Sequence, residues 1–565
     1  MIERRIGLLF ACFLLLLVVA ISRAAWVQGI QGGSLSADAQ SQHTQTVTIP
    51  GQRGRILDRR GRELAVSEDA ADIVATPYQV KDPAAAARRL APLLNVPETQ
   101  VLRELADRSS GFAYLGRQVD LGTADKIRKL NITGIASVPS ARRIYPEGKL
   151  AAQVIGTVGV DNQGLTGLEA GDDSLLGGAN GERTVTVDGL GKEIERNTVS
   201  GAQQGQDLRL TIDAGIQART EEVLAGLART YQPKGATAIV MDPRDGQVLA
   251  MADWPTVDPA NPSAADSKDL QNMATGFTYE PGSTFKAFTV AGALSEHQVT
   301  PSTVFELPTE IQVADRTISD AEPRGPESLT VAQILAQSSN VGAVKIGLGL
   351  GSQRFYDWVR RFGFGKPTGV GFPGEEQGIV PSPSQFSGST MGNLPIGQGL
   401  SVTPIQMAAA YSAIANGGVL RPPQLVMDQG DTPVAKPPGR RVISSKTAAQ
   451  LRQMLEGVLA PGGTASEVSV PGYTLAGKTG TAQIAVNGTY SDSQFVASFV
   501  GFAPAADPKL LVAVVVDEPQ QGSYYGGTVA APAFGEIAKF ALPYLRIPPD
   551  QGTTSSTATT APQGP

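Results

Sequence analysis

Arg4 and Arg5 are followed by sixteen residues, Ile6 to Ile21, without a single charge. A run of that kind cannot fold into a water-exposed surface, and a bilayer-spanning helix needs about 20 such residues. Counting on through Val27 gives 22 residues, with the Arg23 head snorkelling to the surface and Trp26 at the interface level. The stretch 6–27 therefore reads as a transmembrane signal anchor, with residues 1–5 inside because the two arginines precede it. A cleaved signal peptide is the rival reading, but Arg23 stands where small residues precede a cleavage site. Either way the bulk of the chain is exported.

The remaining composition narrows the chemistry. At 565 residues the chain is long enough for two or three domains, and 41% hydrophobic with 18% charged residues is ordinary globular material. A net charge of -6 with no run of Lys and Arg argues against nucleic acid as a partner. Cys12, the single cysteine, lies inside the apolar run, so neither a disulfide framework nor a cysteine zinc site is expected beyond it. His43 and His297 are the two histidines, too few for a three-histidine metal site. No metal or cofactor is expected. If the chain is a serine enzyme, its base is something other than histidine.

Residues 28–46 are small and polar, a linker off the membrane, and 47–202 mix short alternating stretches with a helix over Pro83–Ala91. A polar joint near Gln203–Asp207 opens a region running to about residue 545, and 546–565 are Ser, Thr, Pro, Gln and Gly, a tail expected to be disordered. Within 203–545, Ala236–Met241 and Gln247–Ala252 flank Asp242-Pro243-Arg244-Asp245-Gly246, a hairpin signature. Helices are expected after Pro281, from Thr403-Pro404-Ile405-Gln406 (a capping box), from Ser445, and over Ala530–Leu542. Late strands are expected at Leu475–Gln483, Phe495–Ala503 and Leu510–Val516. The pattern is α+β: an antiparallel sheet covered by helices, with a long, mostly helical insertion between early and late strands.

Three short motifs carry chemistry. Ser283-Thr284-Phe285-Lys286 begins a helix, where residues i and i+3 share a face and backbone N–H groups are free. A desolvated lysine of lowered pKa can there activate a serine, although an ordinary solvated lysine fits the same four letters. Ser338-Ser339-Asn340 precedes the apolar stretch Val341–Leu348; it can relay a proton and hold a peptide carbonyl, or simply cap a helix. Lys478-Thr479-Gly480-Thr481 falls on an expected strand, where glycine marks close approach of a backbone or ligand. One lysine and two hydroxyls there suit a carboxylate; a tight turn is the bland alternative.

In this order, S-x-x-K, S-x-N and K-T-G make up the signature of penicillin-binding proteins and class A β-lactamases. The second position of the middle motif, Ser339, departs from the usual S-D-N. The chain resembles a class B penicillin-binding protein, a monofunctional peptidoglycan D,D-transpeptidase. Gly54-Arg55-Ile56-Leu57-Asp58-Arg59-Arg60-Gly61, Arg143-Ile144-Tyr145-Pro146 and Gly164-Leu165-Thr166-Gly167-Leu168-Glu169 resemble its pedestal (dimerisation) domain, which the likeness places at 47–202. Gly397-Gln398-Gly399 and Thr403–Gln406 resemble its transpeptidase domain, placed at 203–545.

That resemblance implies a role for each motif residue: Ser283 is the acylated nucleophile, Lys286 its base, Ser338 a proton shuttle and Asn340 a donor-peptide ligand. By the same likeness Lys478, Thr479, Gly480 and Thr481 bind the terminal carboxylate and shape the oxyanion hole. Lys478 also disfavours charge on Lys286. The implied substrates are stem peptides ending in D-Ala-D-Ala, the implied inhibitors β-lactams, and the implied partners a SEDS-type membrane glycosyltransferase and division proteins. The implied location is the bacterial cytoplasmic membrane, single-pass, with the catalytic domain outside. Where relatives often have a histidine after the Tyr-Pro motif, this chain has Gln153.

The segment Gly178–Asn197, with its Asp188-Gly189-Leu190-Gly191 turn, and Tyr524–Gly527 leading into Ala530–Phe534 resemble the septal division type rather than the elongation type. A β-lactamase or carboxypeptidase would share Ser283 and Lys286. However, none of Glu375, Glu376, Glu456 and Glu467 opens the E-x-x-x-N loop that class A β-lactamases use for deacylation. A non-catalytic β-lactam sensor is the third reading.

Overall fold

The computed structural model describes residues 2–29, 44–187 and 193–551. Most of the expected linker, the Asp188–Gly191 turn and the tail from residue 552 onward lie outside the described residues. The apolar run forms one uninterrupted helix, Ile2–Gly29, with mean hydropathy 2.6 over its most apolar window and no buried residue. It is long and apolar enough to cross a membrane.

The chain divides into two compact units, the first of which includes that helix, and the division is interleaved rather than linear. The first takes residues 1–52, 68–142 and 178–205; the second takes 53–67, 143–177 and 206–565.

In the first unit, strand Thr44–Ile49 pairs antiparallel with Gly181–Val187, which pairs in turn with Glu193–Ser200. A separate core is built by Pro83–Leu94 and Glu98–Ala106, whose Ala87, Leu90, Val101 and Leu105 pack against Ile73 and Leu115. The helix expected at Pro83 starts as its sequence dictates: the Asp82 carboxylate accepts from the Ala85 N–H at 2.9 Å, with proline in the first turn.

The second unit is organised by a five-stranded antiparallel sheet of β1 (Gly235–Met241), β2 (Val248–Trp254), β3 (Ala476–Val486), β4 (Thr489–Ala503) and β5 (Leu510–Asp517). Their spatial order is β2-β1-β5-β4-β3, so β3 is an edge strand. Alternation on β5 shows how both faces are used. Val512, Val514 and Val516 enter one core and Leu511, Ala513 and Val515 the other, all at most 1% exposed. The first core is closed by helices α1 (Ala214–Tyr231) and α6 (Ala531–Tyr544), through Leu224, Leu227, Phe534, Ile537 and Leu542.

The opposite core holds α2 (Lys286–Ser295), α3 (Asn340–Leu350), α4 (Pro404–Ala415) and α5 (Ser445–Glu456). Each large apolar side chain so buried contributes about 1.5–3 kcal/mol. The capping box at α4 forms as expected: Gln406 N–H donates to the Thr403 hydroxyl at 3.3 Å and Thr403 N–H to Gln406 Oε1 at 2.9 Å.

The sheet covered by helices is as the hydrophobic pattern indicates. Two short antiparallel pairs inside the helical insertion were not foreseen: Val304–Leu307 with Glu327–Thr330, and Glu310–Val313 with Arg316–Ser319. They matter because they bring Arg316 over the Tyr490 ring and Asp320 to the start of α3.

Candidate active site

Ser283 sits on a 3-10 turn, Gly282–Phe285, that runs directly into α2 at Lys286. The turn is tightly held. Thr284 Oγ1 donates to the Pro281 carbonyl at 2.7 Å, the buried Tyr411 hydroxyl donates to the Thr284 carbonyl at 2.6 Å, and Gly282 N–H donates to the Gly397 carbonyl at 3.0 Å. Phe285 packs within 5.2–5.4 Å of Phe288 and Phe364, ring centre to ring centre. Ser283 itself stays only half-buried.

The strand carrying Lys478 lies against this turn, which is why position 480 is glycine. A Cβ there would come within 3.0 Å of the Pro281 carbonyl oxygen and 2.4 Å of Ser498 Oγ. The close approach expected of a strand glycine is thus made by the nucleophile turn itself.

Lys286 is 1% exposed and donates three hydrogen bonds: to the Ser338 carbonyl at 2.5 Å, Asn340 Oδ1 at 2.6 Å and Ser338 Oγ at 3.2 Å. The first two motifs therefore meet through a lysine, not through Ser283, whose hydroxyl takes none of these three bonds. Burial lowers the Lys286 pKa to about 7; Asp320 opposes that shift and Arg324 adds to it. Lys478 is fully buried and driven well below its usual value, by burial first and then by repulsion from Lys286. Lys478 was expected to help keep Lys286 neutral; burial is the main cause of the Lys286 shift, and the repulsion between the two lysines acts on Lys478.

Ser338 adopts a left-handed backbone, φ 62°, which is costly for a residue with a side chain and recurs at functional sites. Its carbonyl is the shortest partner of Lys286. The middle motif is also a cap, as the alternative reading had it, but the cap belongs to Ser339, whose hydroxyl accepts from Gly342 N–H at 3.0 Å. Ser338 and Asn340 are left to face Lys286.

Asp320 was missed from the sequence. Its carboxylate accepts from the Asn340 N–H, from Val341 N–H at 3.1 Å and from the Ser339 hydroxyl at 3.1 Å, and pairs with Arg324 at 2.9 Å. A carboxylate at the start of α3 complements its dipole and fixes the middle motif. Twenty residues of unremarked sequence separate it from Asn340, and no local pattern marks it.

On β3, Lys478 Nζ reaches the Thr479 carbonyl at 3.2 Å and its hydroxyl at 3.4 Å, and that hydroxyl shares a 2.7 Å hydrogen bond with Thr464. Thr481 Oγ1 accepts from Gly526 N–H at 3.0 Å. The eight motif residues thus lie on the nucleophile turn, at the first residue of α2, at the approach to α3 or on the facing strand, within the second unit. Gln153 is buried away from them, its amide donating to the Pro255 and Asp269 carbonyls at 2.8 and 3.2 Å.

A serine three residues before a buried lysine, faced by a second lysine on an edge strand, is the arrangement of a class: the serine acyl-transferases. The comparisons place the chain within that class. Residues 236–539 match the penicillin-binding protein transpeptidase domain and residues 48–210 the penicillin-binding protein dimerisation domain. The chain is 36% identical to the peptidoglycan D,D-transpeptidase FtsI of Escherichia coli K12, over 98% of this chain and 94% of that one. It is 35% identical to stage V sporulation protein D of Bacillus subtilis, over 96% and 85%. Penicillin-binding protein 3 of Mycobacterium tuberculosis, solved with aztreonam, superposes with a TM-score of 0.69 at 31% identity, covering 89% of this chain and 98% of that one. The chain belongs to the penicillin-binding proteins, in the class B arrangement of a dimerisation domain followed by a transpeptidase domain.

Proposed function

We propose that this chain is a membrane-anchored peptidoglycan D,D-transpeptidase of the septal type, crosslinking stem peptides through an acyl-enzyme on Ser283. The observation that carries the reading is Lys286: buried, one turn from Ser283, with a pKa of about 7 and three acceptors supplied by Ser338 and Asn340. Relatives named as D,D-transpeptidases support the reaction class, and the FtsI relative supports the septal role.

Neutral Lys286 takes the Ser283 proton as Oγ attacks the carbonyl of the penultimate D-Ala. The ester forms, the peptide bond breaks, and terminal D-Ala leaves with a proton returned through Ser338. An acceptor amine then attacks the ester, the bond to Ser283 Oγ breaks as the amide forms, and the proton lost by the amine passes through Lys286 to Ser283 Oγ. Asn340 holds the donor peptide, Lys478 and Thr479 take the terminal carboxylate, and Gly480 and Thr481 bring the β3 backbone to the oxyanion. A substrate carboxylate would restore the charge that burial denies Lys478.

Residues 47–202 and 203–545 serve as pedestal and transpeptidase domains, with the N-terminus inside and the catalytic unit outside the membrane. The partners are a SEDS-type glycosyltransferase and division proteins, and β-lactams acylate Ser283.

Membranes treated with a fluorescent penicillin test the assignment. Stable label on wild type and none on Ser283→Ala is expected; label surviving in the variant would remove Ser283 as nucleophile. Rapid loss of label would mean a β-lactamase, and a crosslinking assay separates a transpeptidase from a sensor.

The base assignment also fixes a pH dependence. Acylation requires neutral Lys286, so its rate is expected to rise with pH through a limb near 7. Asp320 raises the Lys286 pKa, so Asp320→Asn should move that limb to lower pH. Second-order acylation rates between about pH 5.5 and 9 measure it. A limb that stays put in Asp320→Asn contradicts the coupling.

A further inference from the structure

Three residues before Ser283, the half-buried Glu280 carries a carboxylate whose two oxygens are treated differently. Oε1 accepts from Gly399 N–H at 3.0 Å and from the Tyr490 hydroxyl at 3.3 Å. Oε2 is shielded from solvent and accepts nothing among the described residues. A shielded carboxylate oxygen without a donor is costly, and burial accordingly raises this carboxyl above its ordinary value.

The nearest opposite charge does not relieve it. Arg316 pulls the Glu280 pKa back down, but its guanidinium lies over the Tyr490 ring, 5.6 Å from the centre. Among the described residues the two form no ion pair. Nor can the backbone turn the group away. Tyr279 exchanges both backbone hydrogen bonds with Val402, at 3.0 and 2.9 Å, and Gly282 is bound to Gly397, so Glu280 is held between two fixed neighbours.

Its position matters as much as its bonding. Tyr490 lies opposite Ala485 in the β3–β4 pair, four residues past Thr481 on the strand that bears Lys478. Through Tyr490, Glu280 is tied to the end of the β3–β4 pair, and in the chain it stands three residues before Ser283.

We propose that Glu280 is a specificity residue that binds a primary ammonium on the stem peptide as the peptide acylates Ser283. This rests on the transpeptidase reading. An ammonium supplies the donor that Oε2 lacks and a direct ion pair, which Glu280 does not make among the described residues. A hydroxyl or amide would supply only the first.

Detergent-solubilised full-length protein is given two synthetic donor peptides, identical except that the third-residue side-chain amine is free in one and acetylated in the other. The readout is the ratio of their kcat/KM values for acylation. Wild type is expected to favour the free amine by about ten- to hundredfold, the range for a hydrogen bond to a charged group. Glu280→Gln should bring the ratio towards one. Arg316→Ala removes a competing cation and should raise it, which also decides the matter if Glu280→Gln does not fold.

The proposal is overturned by equal use of both donors in wild type. It is equally overturned if Glu280→Gln slows both donors by one factor, or if Arg316→Ala leaves the ratio unchanged or lower. Absence of penicillin label on wild-type Ser283 would instead sink the transpeptidase reading beneath it.

Discussion

Lys286→Ala is expected to lose acylation by at least about a thousandfold, the middle of the range that one general base contributes. Ser283 remains in place in that variant, on a turn held by Tyr411, Thr284 and Gly397 rather than by Lys286. The variant loses the amine assigned to receive the serine proton, and among the described residues no histidine stands beside it: His297 has a left-handed backbone just past the far end of α2. Lys286→Met controls for packing, since it fills a similar volume without an ionisable head, and it should be as slow as the alanine variant. Time-resolved labelling with a fluorescent penicillin measures both. A rate within tenfold of wild type in either would show that Lys286 is structural and that the proton goes elsewhere.

How far the sequence reached depended on whether the signal was local. Strands β1 and β2 announce themselves as apolar runs joined by the Asp242–Gly246 turn, β5 as a further apolar run, and α4 through its capping box; each depends on neighbours within a few residues. The chemical residues were legible for a different reason. Serine, lysine, asparagine and glycine in three short spacings are demanded by one reaction, and chance does not readily assemble them in order.

Asp320 and Glu280 escaped because their roles come from the fold. Asp320 caps a helix twenty residues downstream, and Glu280 draws notice only once one of its oxygens is seen to lack a donor. The interleaving escaped for the same reason. Nothing in residues 53–67 or 143–177 says that they belong with the second unit, because the contacts that place them there are long-range.

Those contacts lead to a large expected loss of stability. Arg53 and Glu169 are 0% exposed at their side chains and paired at 2.8 Å; Arg143, 4% exposed, meets the other Glu169 oxygen at 2.7 Å. Arg143 also donates to the Gly54 carbonyl at 2.8 Å, and Arg53 pairs with the half-exposed Asp173 at 2.6 Å. The stretches beginning at Gly54, Arg143 and Gly164 therefore converge on one carboxylate. Burial already lowers the Arg143 pKa, so the charge on Glu169 is what makes two buried guanidinium groups tolerable.

Glu169→Gln leaves two guanidinium groups of which, among the ion pairs of the described residues, Arg53 alone keeps a carboxylate, Asp173, and should cost about 3–5 kcal/mol, the range for removing one member of a buried pair. Adding Arg143→Met removes one stranded cation and returns Arg53 to a one-to-one pairing with Asp173. The double variant is therefore expected to be no less stable than Glu169→Gln alone, and clearly more stable than the sum of the single losses would give. Thermal unfolding of the solubilised full chain, wild type against the two singles and the double, reads the coupling directly. Additive losses, or a Glu169→Gln cost below about 1 kcal/mol, would mean that solvent reaches the cluster and that the three stretches meet for some reason other than neutralising charge.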